Sequence, residues 1–548
     1  MSPTEEIVHD AEHYILREQH GERWATEDGE LDARLTELRD KHGRPPNIVH
    51  IMWDDMAFGD AGIPVINALR GFETPNCNRM AAEGMMFGRL YTEPSCTPSR
   101  AAVLTGRHAV RSGMHTVAFP IENNGLSADE VSMADVLSAA GYATAFYGKW
   151  HLGDVEESYP HNQGFDETLF VPYNQVLMMY NEAGEAGNAV TGARPETMPA
   201  DRYQLDDKFI QDGWVMAIEG RKGELGQEFG DRELQDWDPL EDECKRRTMD
   251  FIRRNAEENK PFYAAYWPSE ATLGVVPMAD RKTAARSILS ERFQQGTDAF
   301  LGELLDELNE LGIAENTLVI AHADNGPMVH DPPPGMGQTE IMFRGGKGDY
   351  WEGGVRVPAF AWWPGTIAPG QVAGDIIHET DLFTTFARIA GATDEIPRDR
   401  IIDGIDQTSL LFNGDSYSRR DYNFIYTGPV LAATVKGRWK RIWVGDHVGL
   451  VGAAFYDLYT DPREMFPKLV PLLHTSSAFN RMRKRHEIWK QRYPDRDSAR
   501  GAPFTGIENP RPETVALSEP PVDLSDLPFN PLEYIDHDLP WDGLDSDG

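Results

Sequence analysis

The chain has 548 residues and a formal net charge of −37, from 52 Lys and Arg against 89 Asp and Glu. That balance argues against nucleic acid or an anionic membrane as partner, because both are recognised through basic patches. Apolar residues at 40% and aromatics at 10% suffice for a large core, and no apolar run reaches membrane-spanning length.

Three cysteines, Cys77, Cys96 and Cys244, are too few for a disulfide framework and point to a reducing compartment, although a Cys77–Cys96 bridge stays open. Met1-Ser2-Pro3-Thr4-Glu5-Glu6 lacks the basic start and apolar core of a signal peptide, so a cytoplasmic location is expected. Surface acid of this density repels an anionic substrate at long range. Any anion site must then be a local pocket of positive charge.

Residues 1–46 read as a helical arm. Ile7, Ala11, Tyr14 and Ile15 stripe one helix, and Leu31, Leu35 and Leu38 mark a second that ends near Gly43. The pattern predicts a helical hairpin packed on the domain surface, with a subunit contact as the alternative. Asn47 to Trp53 is a nearly continuous apolar run, as expected of a buried parallel strand, and it ends in Asp54-Asp55. Two adjacent carboxylates at a strand end are costly unless a cation balances them.

Thr74-Pro75 starts a helix that runs to about Gly84, and Met85 to Tyr91 reads as a strand. Cys96-Thr97-Pro98-Ser99-Arg100 follows, with Leu104-Thr105-Gly106 closing a short helix. Pro98 marks the helix start and Gly106 its stop, so Cys96 lies at a helix mouth whose free N–H groups favour negative charge. A strand over 142–147 leads into Gly148-Lys149-Trp150-His151, and Lys149 and His151 share one face of an extended segment. His161 reads as structural, and Asn174 is a candidate pocket residue. Residues 176–240 carry little periodicity and read as a long insertion over the active face.

A helix over 241–258 precedes the strand 261–267, which runs into Pro268-Ser269-Glu270-Ala271-Thr272. A helical pattern spans about 280–311. Thr317 to Ala321 is the next core strand, ending in His322-Ala323-Asp324-Asn325-Gly326. Phe343-Arg344-Gly345-Gly346-Lys347-Gly348 is a glycine-rich loop in which backbone and Lys can approach an anion closely. Residues 435–442 and 455–459 read as strands of a small antiparallel sheet. From about 500 the chain is rich in Pro and Asp; Phe529 and Trp541 suggest a tail that wraps rather than a disordered one.

These blocks together resemble the type I, formylglycine-dependent sulfatases of the alkaline-phosphatase-like superfamily. Cys-x-Pro-Ser-Arg followed by Leu-Thr-Gly is similar to that family's signature, and the resemblance runs from about Asn47 to Glu464. It implies a large mixed, mostly parallel α/β sheet sandwiched by helices, with a small C-terminal antiparallel sheet. The corresponding division is an arm over 1–46, a catalytic domain over 47–425, a sheet subdomain over 426–475, and a helix with an acidic Pro-rich tail over 476–548.

The resemblance also implies a site. Cys96 is oxidised to formylglycine by a maturing enzyme, and its hydrate is the nucleophile. Asp54, Asp55, Asp324, Asn325 and residue 96 hold a divalent ion, with Ca²⁺ best suited to all-oxygen donors and Mn²⁺ or Mg²⁺ the alternative. Arg100, Lys149, His151 and Lys347 complete the catalytic set. The family's Pro-His after the fourth core strand is absent, and Glu270 or Thr272 is the candidate to occupy its space. The implied activity is hydrolysis of a small aryl or alkyl sulfate ester; the arm and the wrapping tail, read by themselves, point to a homo-oligomer. A phosphonate monoester or phosphodiester hydrolase and a non-catalytic anion-binding member are the alternatives.

Overall fold

The computed structural model describes residues 6–70, 73–118, 125–173, 176–180, 186–190, 217–229, 237–269, 294–327, 342–444, 454–468 and 473–495. Asn174, Glu270, Thr272 and the tail from 496 onward lie outside the described residues.

A ten-stranded sheet organises the molecule. Its order across the sheet is Gln371–Ala373, Met85–Phe87, Ala359–Trp362, Thr317–Ala323, Asn47–Trp53, Phe262–Trp267, Ala143–Lys149, Glu167–Val171, Ile218–Arg221 and Gln227–Glu228. The five strands from Thr317–Ala323 to Glu167–Val171 are parallel. Ala359–Trp362 and Ile218–Arg221 add antiparallel neighbours on either side. All seven residues of Asn47–Trp53 are buried, as a strand covered by helices on both faces requires. This is the mixed, mostly parallel α/β sheet expected.

Register positions the chemistry. Trp53 pairs with Ala323 at the carboxyl ends of two parallel strands. The next residues, Asp54 and Asp324, therefore emerge side by side, followed by Asp55 and Asn325. Trp267 pairs with Gly148, which brings Lys149 to the same edge. In open parallel sheets this carboxyl edge is where ligands bind.

Four strands, Tyr422–Thr427, Val430–Lys436, Trp439–Ile442 and Ala454–Asp457, form the small antiparallel sheet. It is welded to the body by fully buried Lys440, whose Nζ lies 3.2 Å from Glu352 and 2.9 Å from Glu464. Among the described residues, no helix is long and apolar enough to cross a membrane. The three cysteines are free and buried, so no Cys77–Cys96 bridge forms.

Four local expectations are corrected. The arm is one helix, Ala11–His42, not a hairpin. Gly21 and Gly29 each cost about 1 kcal/mol in a helix interior, but no proline or cap intervenes, and buried Trp24 and Glu27 between them hold the turn against the body. Asp10 caps its start by accepting from Glu12 N, and Gly43, at φ 69°, ends it. Residues 85–91 are two short strands, because Met85–Phe87 joins the main sheet whereas Leu90–Tyr91 pairs with Ile377–His378.

Residues 435–442 are not one strand. Gly437, at φ 57°, turns the chain between two strands of a hairpin. Within the insertion, Val176–Tyr180 pairs with Ala186–Val190, and Ile218–Arg221 extends the main sheet. These segments are too short to show a period. The helical pattern read over about 280–311 holds in its described part, a π turn over Gln294–Asp298 followed by the helix Ala299–Glu310.

Candidate active site

Cys96 opens the helix Cys96–Thr105, with extended Ser95 before it and Gly106 ending it at φ 67°. Pro98 falls third rather than first, still within the turn whose N–H groups need no helical partner. A side chain at Gly106 would meet Phe383 at 2.6 Å, so both φ and space demand glycine there.

Oxygen donors converge on the sulfur. Cys96 Sγ lies 3.2 Å from Asp54 Oδ1 and 3.6 Å from Asp55 Oδ1. Ligand atoms of Asp54, Asp55, Cys96 and Asp324 all lie within 4.8 Å of one another, and all four residues are buried. Asn325 joins them, donating from Nδ2 to Asp55 Oδ1 at 2.6 Å. Its Oδ1 is buried and has no hydrogen-bond partner among the described residues. Three crowded carboxylates beside an unpartnered amide oxygen fit a hard divalent cation, which neutralises the first and ligates the second. Asp55 holds a left-handed backbone at φ 53°, a strained conformation for a non-glycine residue that occurs where function demands a side-chain direction.

Cations surround this cluster. Lys149 Nζ donates to Asp54 Oδ1 at 2.5 Å. Lys347 Nζ lies 2.9 Å from both Cys96 Sγ and Asp55 Oδ2. Arg100 donates to Asp324 Oδ2 at 2.9 and 3.2 Å and to the Lys149 carbonyl at 2.6 Å. Lys347 retains 17% side-chain exposure, whereas Lys149 and Arg100 have none. The cluster therefore opens on the Lys347 side. The loop carrying Lys347 is tied to the stretch before Cys96 by Gly348 N donating to Pro94 O.

The electrostatics follow from this crowding. Burial pushes the Asp54 carboxyl up, but Lys149, Lys347 and Arg100 outweigh it and hold it well below the carboxylate range. Burial and the neighbouring Asp54 push Asp324 up to about 6. Burial, then Asp324 and Asp54, raise the Cys96 thiol well above its ordinary value. Cys96 is thus no thiolate nucleophile, although it stands where one would act.

His151 also has a left-handed backbone, at φ 61°. Its Nε2 lies 3.0 Å from Ala118 O, and its buried Nδ1 has no hydrogen-bond partner among the described residues. Burial, with Lys149 and Arg100, keeps the ring neutral. The structure thus brings together Asp54, Asp55, Cys96, Arg100, Lys149, Asp324, Asn325 and Lys347, with His151 held beside them.

The chain carrying this arrangement has named counterparts. A model of the Sulfatase family matches residues 46–392. This chain belongs to the sulfatase family. Mus musculus N-acetylgalactosamine-6-sulfatase is 34% identical over 413 residues, covering 73% of this chain and 72% of that protein. Homo sapiens arylsulfatase A is 33% identical over 435 residues, covering 76% and 78%. The crystal structure of PsFucS1 sulfatase from Pseudoalteromonas sp. superposes with a TM-score of 0.74 at 30% identity, covering 86% of this chain and 96% of that one. The protein is therefore a sulfuric ester hydrolase of the alkaline-phosphatase-like sulfatase fold.

Two features of this sulfatase escaped the sequence. Ser269 stands where the family's Pro-His places histidine; it is fully buried and donates from N (3.0 Å) and Oγ (2.7 Å) to Glu241 Oε2. Tyr266 donates to the other oxygen of Glu241. Beneath the carboxylates runs a chain of Tyr263, His50 and His322. Tyr263 OH lies 3.2 Å from His50 Nδ1, the two Nε2 atoms are 2.9 Å apart, and His322 Nδ1 lies 2.8 Å from Ala323 O. Since a carbonyl only accepts, His322 Nδ1 carries its proton, and every other role in the chain follows. Burial keeps both rings neutral, with His322 at about 4. A polar residue inside an apolar strand four positions before Asp54, and another two before Asp324, were the available signals.

Proposed function

We propose that this sulfatase hydrolyses its sulfate ester with a formylglycine hydrate made from Cys96 and a divalent ion held by Asp54, Asp55, Asp324, Asn325 and residue 96. The observation that carries the reading is the clustering of three carboxylates with Cys96 Sγ, with Asn325 bonded to Asp55 and Lys347 2.9 Å from the sulfur. Ca²⁺ suits hard donors of this kind, and Mg²⁺ or Mn²⁺ is the alternative. An ion held there would supply Lewis-acid polarisation of the sulfate and of the residue 96 oxygen. Formylglycine hydrate would supply one hydroxyl that attacks sulfur and displaces the alcohol, and a second whose deprotonation expels sulfate, carried on the first oxygen, and restores the aldehyde, which water rehydrates.

The chain's own groups do the rest. Lys347, at the open side, binds the incoming anion and neutralises charge that builds on it. Lys149 acts from the buried side through Asp54. Arg100 holds Asp324 in place and adds positive charge below residue 96. His151, kept neutral, has an Nδ1 without a hydrogen-bond partner among the described residues, which is the position from which it would take a proton. Cys96 is fully buried in the folded chain, so the maturing enzyme must act before folding closes the site.

The alcohol half spans two readings. A small aryl or alkyl sulfate is the minimal substrate, and the names of the relatives extend the range to 6-sulfated N-acetylgalactosamine. Side-by-side hydrolysis of 4-nitrophenyl sulfate, N-acetylgalactosamine 6-sulfate and an aryl phosphonate monoester separates them from the phosphonate alternative. Sulfate turnover should dominate. Mass analysis of the residue 96 peptide tests the nucleophile: conversion lowers the thiol mass by about 18 Da, and an active preparation with the thiol intact refutes the mechanism.

A further inference from the structure

Among the described residues, five that are not glycine hold a left-handed backbone. Asn259 and Ser416 are exposed turn residues. Asp55 and His151 belong to the active site. The fifth is Glu464, at φ 52°, and it is fully buried. A buried residue of this kind keeps such a conformation only when its surroundings over-determine it.

Those surroundings are the loop that carries Lys347. The Glu464 carbonyl accepts from Arg344 Nη1 at 2.9 Å, and Glu464 Oε2 accepts from Glu352 N at 2.7 Å. Arg344 precedes Lys347 and Glu352 follows it, so Glu464 grips the loop at both ends. The ends also hold each other: Gly353 N donates to Arg344 O at 2.7 Å, and the Arg344 guanidinium lies 3.7 Å from the Trp351 ring. Lys347 N itself donates to Pro327 O at 2.8 Å, just past Asn325.

Behind the clamp stands Lys440 of the small sheet, 2.9 Å from Glu464 and 3.2 Å from Glu352. Glu352 also accepts from the hydroxyl of Tyr91, on the stretch that leads to Cys96, at 3.0 Å. One buried network therefore ties the small sheet to both sides of the reacting centre. Lys347 needs such support, because its Nζ ends a flexible four-carbon stem yet lies 2.9 Å from both Cys96 Sγ and Asp55 Oδ2. A stem of that kind places its charge only as well as its backbone is held.

We propose that Glu464 is a positioning residue for sulfate ester hydrolysis: its grip on Arg344 and Glu352 sets the loop, and through it the place of Lys347 Nζ beside residue 96. The small antiparallel sheet is then a working part of the active site. Glu464 acts only through Lys347, so its role rests on the one proposed for that lysine.

Glu464→Ala removes the carboxylate but leaves Lys440 paired with Glu352, so no buried charge loses its last partner. In 4-nitrophenyl sulfate hydrolysis, kcat/KM per folded molecule should fall about tenfold to a hundredfold, as misplacement of a catalytic group by about 1 Å does. Glu464→Gln keeps an acceptor for Glu352 N and should recover most of that loss. In a Lys347→Ala background, Glu464→Ala should cost nothing further. Denaturant unfolding gives the folded fraction, and if Glu464→Ala does not fold, Arg344→Met cuts the other grip and replaces it in the same cycle.

Glu464 is no positioning residue if its variant keeps the parental kcat/KM while Lys347→Ala loses it. The same holds if the two losses multiply, as independent effects do. If Lys347→Ala alone keeps the parental kcat/KM, the role of Lys347 fails first and that of Glu464 falls with it.

Discussion

Two buried charge clusters in this molecule are built on opposite plans. Around Asp381 every bond is made. Its carboxylate accepts from Arg420 Nε and Nη2 and from the backbone N–H groups of His378 and Ile405, at 2.5–3.0 Å. Asp403, held by Arg111 at 2.7 and 2.9 Å and by His108 N, follows the same plan. Around Cys96 three carboxylates crowd one another, Asn325 Oδ1 has no hydrogen-bond partner among the described residues, and Asp55 has a left-handed backbone. The first kind of cluster is complete within the chain. The second is unfavourable until something positive or anionic arrives. Structural charge and functional charge can thus be told apart by what they leave unsatisfied.

The largest expected effect tests the open cluster. Cys96→Ala should lower aryl sulfate hydrolysis about a thousandfold or more, while denaturant unfolding shifts by only about 1 kcal/mol. A variant that unfolds instead would mean that Cys96 belongs to the structural kind.

Asp324→Asn sharpens the contrast in sign. Burial and Asp54 make charge on Asp324 unfavourable, pushing its carboxyl up to about 6. In protein stripped with a chelator at pH 8, the variant should therefore be at least as stable as the parent, although inactive. Added Ca²⁺ should stabilise the parent and not the variant. A metal-stripped variant clearly weaker than its parent would break the comparison.

Arg420→Met reverses the pattern. It leaves Asp381 buried without its charge partner and should cost about 3–5 kcal/mol in denaturant unfolding. Turnover per folded molecule should stay near the parent's. Loss of kcat without loss of stability would show that the closed clusters also tune the site.

Which parts of this were legible in the sequence follows from range. Asp54-Asp55 and Asp324-Asn325 each announce themselves locally as carboxylates at the end of an apolar strand. Their meeting depends on the Trp53–Ala323 register, and only a family signature suggests it. Gly106 could be read as a helix stop because its role is set within one turn. The arm's single helix could not, because Trp24 is held by packing against residues nearly 400 positions away, Arg419 among them. The Asp381–Arg420 and Lys440–Glu352 pairs have no local pattern at all. Ser269 marks a limit of another kind: the missing histidine was visible, but its replacement by a serine bonded to Glu241 was not.

The smallest effect concerns the rim of the closed cluster. The rings of His108 and His378 lie 4.9 Å apart, and their environments pull them in opposite directions. Burial lowers His378 well below its ordinary 6.5, with His108 adding to the effect. Burial also opposes charge on His108, but Asp403 and Glu93 outweigh it and raise that ring. Below the unfolded value the unfolded chain protonates His378 and the folded chain does not, so stability is lost as pH falls. His108 has the opposite sign: its contribution is present at low pH and lost as pH rises through its folded value. His378→Asn should flatten the acid-side loss by up to about 1.4 kcal/mol per pH unit, and His108→Asn should steepen it. Because the Cys96 cluster titrates in parent and variants alike, the differences between curves carry the result. Identical slopes in all three proteins would mean that this rim, though buried beside Asp381, stays as open to protons as the surface.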